Sequence, residues 1–133
     1  MAFAQLGYEP LRPDLLQEQI ASSAFGAYAV FTGNVRNNAN GKKVVSLAYD
    51  AYEPLARKEL LRIAQEAEAR WPGSCAVAHR LGSIPMGESS VVVVFASAHR
   101  DEAFAACRWA IDTLKESAPI WKHEVYEEGS AWI

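Results

Sequence analysis

The run Val91-Val92-Val93-Val94-Phe95-Ala96 limits the folds open to this chain more than any other stretch. Six consecutive apolar residues with no polar alternation suit a strand that is covered on both faces. They fall far short of the roughly 20 needed to cross a bilayer. Ser89 to Ala98 is therefore expected as a long, buried strand. A chain of 133 residues, 50% of them hydrophobic, can enclose such a strand in one core but is too short for two ordinary domains, so one domain over 1–133 is expected.

Helices able to cover that strand lie on either side of it in the sequence. Leu55 to Trp71 carries helical periodicity through Leu60, Leu61, Ile63, Ala64 and Ala67 before Pro72-Gly73 stops it. On its other face Glu59 and Glu66 alternate with Arg57, Arg62 and Arg70, as a solvated surface would. Glu102 to Glu116 has an apolar stripe at Phe104, Cys107, Ile111 and Leu114, with Asp101 placed to cap it. A short first helix is expected from Pro13, which suits a first turn, to Ile20.

Ala27 to Val35, Val44 to Tyr52 and Cys75 to Arg80 read as further strands, Gly82 to Gly87 as a loop, and Ile120 to Trp132 as an edge or surface strand. The turn signal Asn37-Asn38-Ala39-Asn40-Gly41 makes the first two of these strands an expected antiparallel pair. The predicted order is α-β-β-α-β-β-α-β. Strand pairs alternating with helices point to an α+β fold, an antiparallel or mixed sheet packed with helices, and away from a doubly wound parallel sheet.

A net charge of -3 argues against a general binder of nucleic acid or membrane surface, which would need a positive excess. Any anionic ligand must meet a local cluster of cations. The N-terminus lacks a basic segment followed by an apolar core, so a cytoplasmic protein is expected. Cys75 and Cys107 could pair, but their apolar settings favour buried free thiols in a reducing compartment. The cysteines and the three histidines fall at no zinc spacing, and neither metal nor cofactor is expected. Gly-x-Ser-x-Gly is absent, and His99-Arg100-Asp101 lacks the downstream asparagine and glycine-rich loop of a kinase, with Ala106 at the asparagine's place.

The cations carry more information. Arg36 follows one strand, His99-Arg100 joins another strand to a helix, Lys115 stands in a helix's last turn and Lys122 follows Pro119-Ile120-Trp121. At about 100° per residue, Lys115 projects within about 20° of Phe104 and about 40° of Ile111, at the edge of the apolar stripe. Partial desolvation there favours the free amine that acyl and sulfur transfer use as base or nucleophile. The alternative is a lysine that snorkels to water and favours the negative helix end. His99-Arg100 stands where backbone donors and a guanidinium fork can receive an anion. Equally, Arg100 could pair with Asp101 or Glu102. His79-Arg80, a second such dipeptide, reads as a structural or interface pair.

From Gly26 to Trp132 the chain resembles the MoaE family, the large subunit of molybdopterin synthase. The motifs are Phe31-Thr32-Gly33-Asn34-Val35-Arg36, Leu47-Ala48-Tyr49-Asp50-Ala51-Tyr52, His79-Arg80-Leu81-Gly82, Gly87-Glu88, Ser97-Ala98-His99-Arg100, and Asp112-Thr113-Leu114-Lys115 leading to Pro119-Ile120-Trp121-Lys122-His123-Glu124. The resemblance implies an α/β hammerhead fold and a homodimer that becomes a heterotetramer with a small ubiquitin-like sulfur-carrier partner ending in Gly-Gly. That partner's C-terminal thiocarboxylate would deliver sulfur to cyclic pyranopterin monophosphate, building the dithiolene of molybdopterin in molybdenum cofactor biosynthesis.

By matching motif positions, the resemblance makes Lys115 and Lys122 the catalytic residues of a sulfurtransferase. Arg36, His99 and Arg100 would hold the substrate, while Phe31 and Ile111 line a channel for the partner's tail. Two other readings stay open: an adaptor that docks a ubiquitin-like protein without chemistry, and a sensor that binds a phosphorylated ligand through Arg36 and Arg100.

Overall fold

The computed structural model describes residues 1–39, 41–126 and 129–133. Asn40, inside the expected turn, and Glu127 and Glu128, inside the expected last strand, lie outside the described residues. The elements are β1 (Phe3–Gly7), α1 (Pro13–Gln19), β2 (Ala27–Asn34), β3 (Asn38–Ala39), β4 (Lys42–Ala51), α2 (Glu53–Arg70), β5 (Ser74–Arg80), β6 (Gly82–Ser83), β7 (Ser89–Ser97), α3 (Arg100–Ser117), β8 (Ile120–Tyr126) and β9 (Gly129–Trp132). The α+β class holds, and every expected helix and principal strand is present.

One sheet runs β1-β5-β7-β2, with β1 parallel to β5 and the other pairs antiparallel. In β7, Val91, Val93 and Phe95 face α2 and α3, while Val92, Val94 and Ala96 face α1 with Leu11, Leu16 and Ile20. Both faces of the valine run are thus covered, which is why it shows no alternation. Burying one valine side chain contributes about 1.5–3 kcal/mol, and four stand in succession here. The helices sit close because small residues line their contact: Ala56, Ala64 and Ala67 of α2 and Ala103, Ala106 and Ala110 of α3 are buried.

A second sheet runs β3-β4-β8-β9, with β6 also paired to β4. Here the expected hairpin is corrected. The strand from Ala27 pairs with β7, and the strand ending at Ala51 pairs with β8. The Asn-rich turn does reverse the chain, but within the second sheet, by a two-residue ladder of Asn38 and Ala39 on Lys43 and Lys42. A turn signal fixes where the chain reverses and says nothing about which sheet the arriving strand belongs to.

The departure is marked at Val35, whose N–H donates to the Glu88 carbonyl and whose carbonyl accepts from the Gly87 N–H, both at 2.9 Å. Gly33 allows the close approach just before it, because a Cβ there would meet Val91 Cγ1 at 2.7 Å.

Three smaller expectations also change. Ile120 to Trp132 is not one edge strand: β8 lies between β4 and β9, and β9 takes the edge. Asp101 does not cap α3. The N-cap is His99, without a side-chain cap hydrogen bond, and Asp101 and Glu102 occupy the first turn, where negative charge favours the helix dipole. Phe104 is 67% exposed, and the buried stripe of α3 runs through Ala103, Ala106, Cys107, Ala110, Ile111 and Leu114. Both cysteines are free and buried.

Candidate functional site

The C-terminal end of α3 meets the junction of the two sheets, and three hollows open around Lys115. The first, about 640 Å³, is an apolar groove between β2 and α3 whose lining includes Val30, Phe31, Phe104, Ile111 and Lys115. The second, about 270 Å³, is lined by Tyr49, His79, Leu114, Lys115, Ile120 and Lys122 among others. The third, about 160 Å³, holds Arg36, Tyr49, Ser90, Lys115, Lys122 and Glu124. Lys115 is common to all three. The side chain is exposed in the chain, not partly desolvated as the stripe geometry suggested, because it reaches from the stripe's edge over open hollows.

Lys122 reaches the same place from the second sheet. Its register partner across the ladder is Tyr49, so the two line the hollows together. Backbone bonds hold Lys122 from the other side: its N–H donates to the Ile133 carbonyl at 3.3 Å, and its carbonyl accepts from the Ile133 N–H at 2.7 Å. Lys122 Nζ stands 3.6 Å from Glu124 Oε2, and Glu124 is buried. The Tyr126 hydroxyl donates to Glu124 Oε1 at 2.5 Å, and that bond holds the phenol's pKa above its ordinary value. Arg36 and Lys115 have no acidic partner among the described residues. Three cations against one carboxylate leave a positive hollow suited to a phosphate or a developing oxyanion.

His79 completes the wall. Its ring is 4% exposed and packs edge-to-face on Tyr49 with centroids 4.8 Å apart. Burial pushes its pKa down to about 4, the bond to the Arg80 carbonyl opposes that shift and the charge of Lys115 adds to it. The imidazole is therefore neutral near pH 7. Nδ1 lies 2.8 Å from the Arg80 carbonyl oxygen, which only a protonated nitrogen can bond, so Nδ1 donates and Nε2 carries the lone pair.

A family model described as MoaE protein matches residues 6–117. This chain belongs to the MoaE family. It is 45% identical over 125 residues to the molybdopterin synthase catalytic subunit of Homo sapiens, covering 93% of this chain and 66% of that protein. The same degree of identity, 45% over 129 residues, links it to the catalytic subunit of Nostoc sp., with 95% and 78% covered. Among solved structures, molybdopterin synthase from Staphylococcus aureus superposes with a TM-score of 0.92 at 36% identity, covering 96% of this chain and 94% of that one. A complex of subunits 1 and 2 of molybdopterin-converting factor from Helicobacter pylori matches with a TM-score of 0.76 at 27% identity, with 98% and 88% covered.

Within this MoaE chain, Lys115, Lys122 and Arg36 share one hollow, and Phe31 and Ile111 share the groove that leads to Lys115. His99 and Arg100 are exposed at the opposite end of α3. Fifteen residues at about 1.5 Å each put Arg100 roughly 22 Å along the axis from Lys115. Arg100 has no ion pair with Asp101 or Glu102. Sequence reasoning missed Tyr49 and His79 as site residues. The available signal was alternation, since His79 shares the α3-facing side of β5 with Cys75 and Val77.

Proposed function

We propose that the chain, with residues 1–133 acting as one domain, is the catalytic subunit of a molybdopterin synthase: a sulfurtransferase that takes sulfur from the C-terminal thiocarboxylate of a small ubiquitin-like partner and places it on cyclic pyranopterin monophosphate. The observation that carries this reading is the convergence of three hollows on Lys115. An apolar groove past Phe31 and Ile111 suits a threaded Gly-Gly tail, because glycine alone lets a backbone pass so narrow a channel. The cationic hollow at Arg36 and Lys122 suits the phosphate. The hollow between them suits the pterin. Lys115 then stands nearest the acyl carbon, and Lys122, held by Glu124, donates a proton or stabilises negative charge.

His99 and Arg100 lie too far from Lys115 to hold the same substrate within one chain. In the homodimer they serve the neighbouring protomer's site, and the partner chains complete a heterotetramer. The two buried free thiols suit a cytoplasmic setting and leave the partner as the sulfur source.

With the thiocarboxylated partner and the pterin supplied, Lys115→Ala is expected to lower the rate of dithiolene formation by at least about 100-fold, the scale on which a positioned catalytic group contributes. Its circular dichroism and melting temperature should stay close to the parent's, since Lys115 is exposed and bonded to nothing described. Parent-like turnover in that variant removes Lys115 from the mechanism.

A further inference from the structure

His79 has no task in the mechanism just set out, yet its side chain is more than nine-tenths buried and lines the hollow beside Lys115 and Lys122. One ring nitrogen is committed to the Arg80 carbonyl, 2.8 Å away. The other has no partner among the described residues. Tyr49, packed on the ring edge-to-face at 4.8 Å, fixes its orientation. The charged side chains that line this hollow are the ammonium groups of Lys115 and Lys122, which attract anions, while its other polar side chains besides His79 are those of Tyr49 and Ser90. Among the described residues the one wholly buried side-chain polar atom without a partner is Glu102 Oε2, so Nε2 keeps contact with the hollow that His79 lines, and a ligand donor can reach it there. A ligand that carries a neutral donor such as a ring N–H beside its anionic group satisfies both ends of the cleft.

We propose that Nε2 of His79 accepts a hydrogen bond from a ring N–H or amino group of the heterocyclic substrate, making His79 the residue that selects the pterin edge while Arg36 and Lys122 hold the phosphate. This rests on the pterin reading above. It makes the site a two-ended recognition device, cationic at the phosphate and neutral-accepting at the heterocycle. A carbonyl-edged or alkylated ring, which leaves Nε2 unmatched, is discriminated against as strongly as the loss of one hydrogen bond allows.

The test uses the intact chain and cyclic pyranopterin monophosphate as probe. The ¹⁵N resonance of His79 Nε2 is expected at the position of an unprotonated nitrogen in the free protein, moving upfield on saturation. His79→Phe, which keeps an aromatic ring against Tyr49, is expected to weaken pterin binding roughly 10-fold, the scale of one buried hydrogen bond. His79→Gln, which keeps an acceptor, is expected to stay within roughly 3-fold of the parent, and partner affinity is expected to be unchanged in both. If the parent binds the pterin while the Nε2 resonance stays still, or if His79→Phe binds as tightly as the parent, the inference falls alone. If the parent binds no pterin by any readout, the functional reading falls and takes this inference with it.

Discussion

A histidine buried as a neutral ring ties stability to pH in a way that can be calculated. His79 has a folded pKa of about 4, below its ordinary 6.5, because burial disfavours the imidazolium. Between those values the unfolded chain binds the extra proton, so stability rises with pH across the window. The contribution is complete above pH 6.5 and is lost as pH falls toward 4, amounting to about 3 kcal/mol over the full shift. We predict that urea unfolding of the parent loses about 2–3 kcal/mol more than His79→Gln does between pH 7 and pH 4.5. Equal losses in the two proteins would show that His79 does not titrate in this window. The chain's lettering disclosed the dipeptide but not this state: His79-Arg80 reads as a structural or interface pair, and only the fully covered β5 makes one member a buried neutral ring. Lys115 is the converse case, legible as a stripe-edge residue but exposed over hollows that no periodicity reveals.

At the scale of elements, the arms of the site are aligned by a clamp outside it. Arg80 Nη1 donates to Glu88 Oε1 at 2.8 Å, with the Arg80 side chain only 10% exposed. Its Nε donates to the Tyr8 carbonyl at 3.3 Å, tying the end of β5 to the segment after β1. The Glu88 backbone in turn receives the Val35 N–H, and Arg36 is the next residue. The pair therefore fixes the point from which Arg36 enters the cationic hollow. Glu88→Gln replaces a charge-assisted bond with a weaker neutral one. We predict a rise of roughly 5–10-fold in KM for the pterin with kcat changed less than about twofold, because only the placement of a binding residue is loosened. A fall in kcat at constant KM would instead mean that the clamp acts on the chemical step. The helices and most principal strands were readable from periodicity, since each covers its own apolar face, but β1, which adds to the sheet beside β5, was not expected. Strand partnership was not: the assignment of β2 to β7 and β4 to β8 depends on contacts distant in sequence, and the two-residue strands β3 and β6 are too short to carry any period.

For the whole molecule, the length of α3 turns a distance into a statement about assembly. Arg100 and Lys115 are fixed on one rigid helix roughly 22 Å apart, so no rearrangement within a chain brings both to one phosphate. If both serve the reaction, each site must draw Lys115 from one protomer and Arg100 from its mate, as a two-fold dimer permits. Lys115→Ala and Arg100→Ala are then each inactive alone but complement each other when the chains are co-expressed. In a random mixture about half of the dimers are mixed, and each mixed dimer has one site carrying both lesions and one carrying neither. Recovered turnover is therefore predicted at about a quarter of the parent's per site, measured with saturating thiocarboxylated partner. Recovery near zero, with Arg100→Ala still inactive alone, would confine Arg100 to a role within its own chain. Full activity of Arg100→Ala alone would remove it from the site, leaving Arg36 and Lys122 to hold the phosphate unaided.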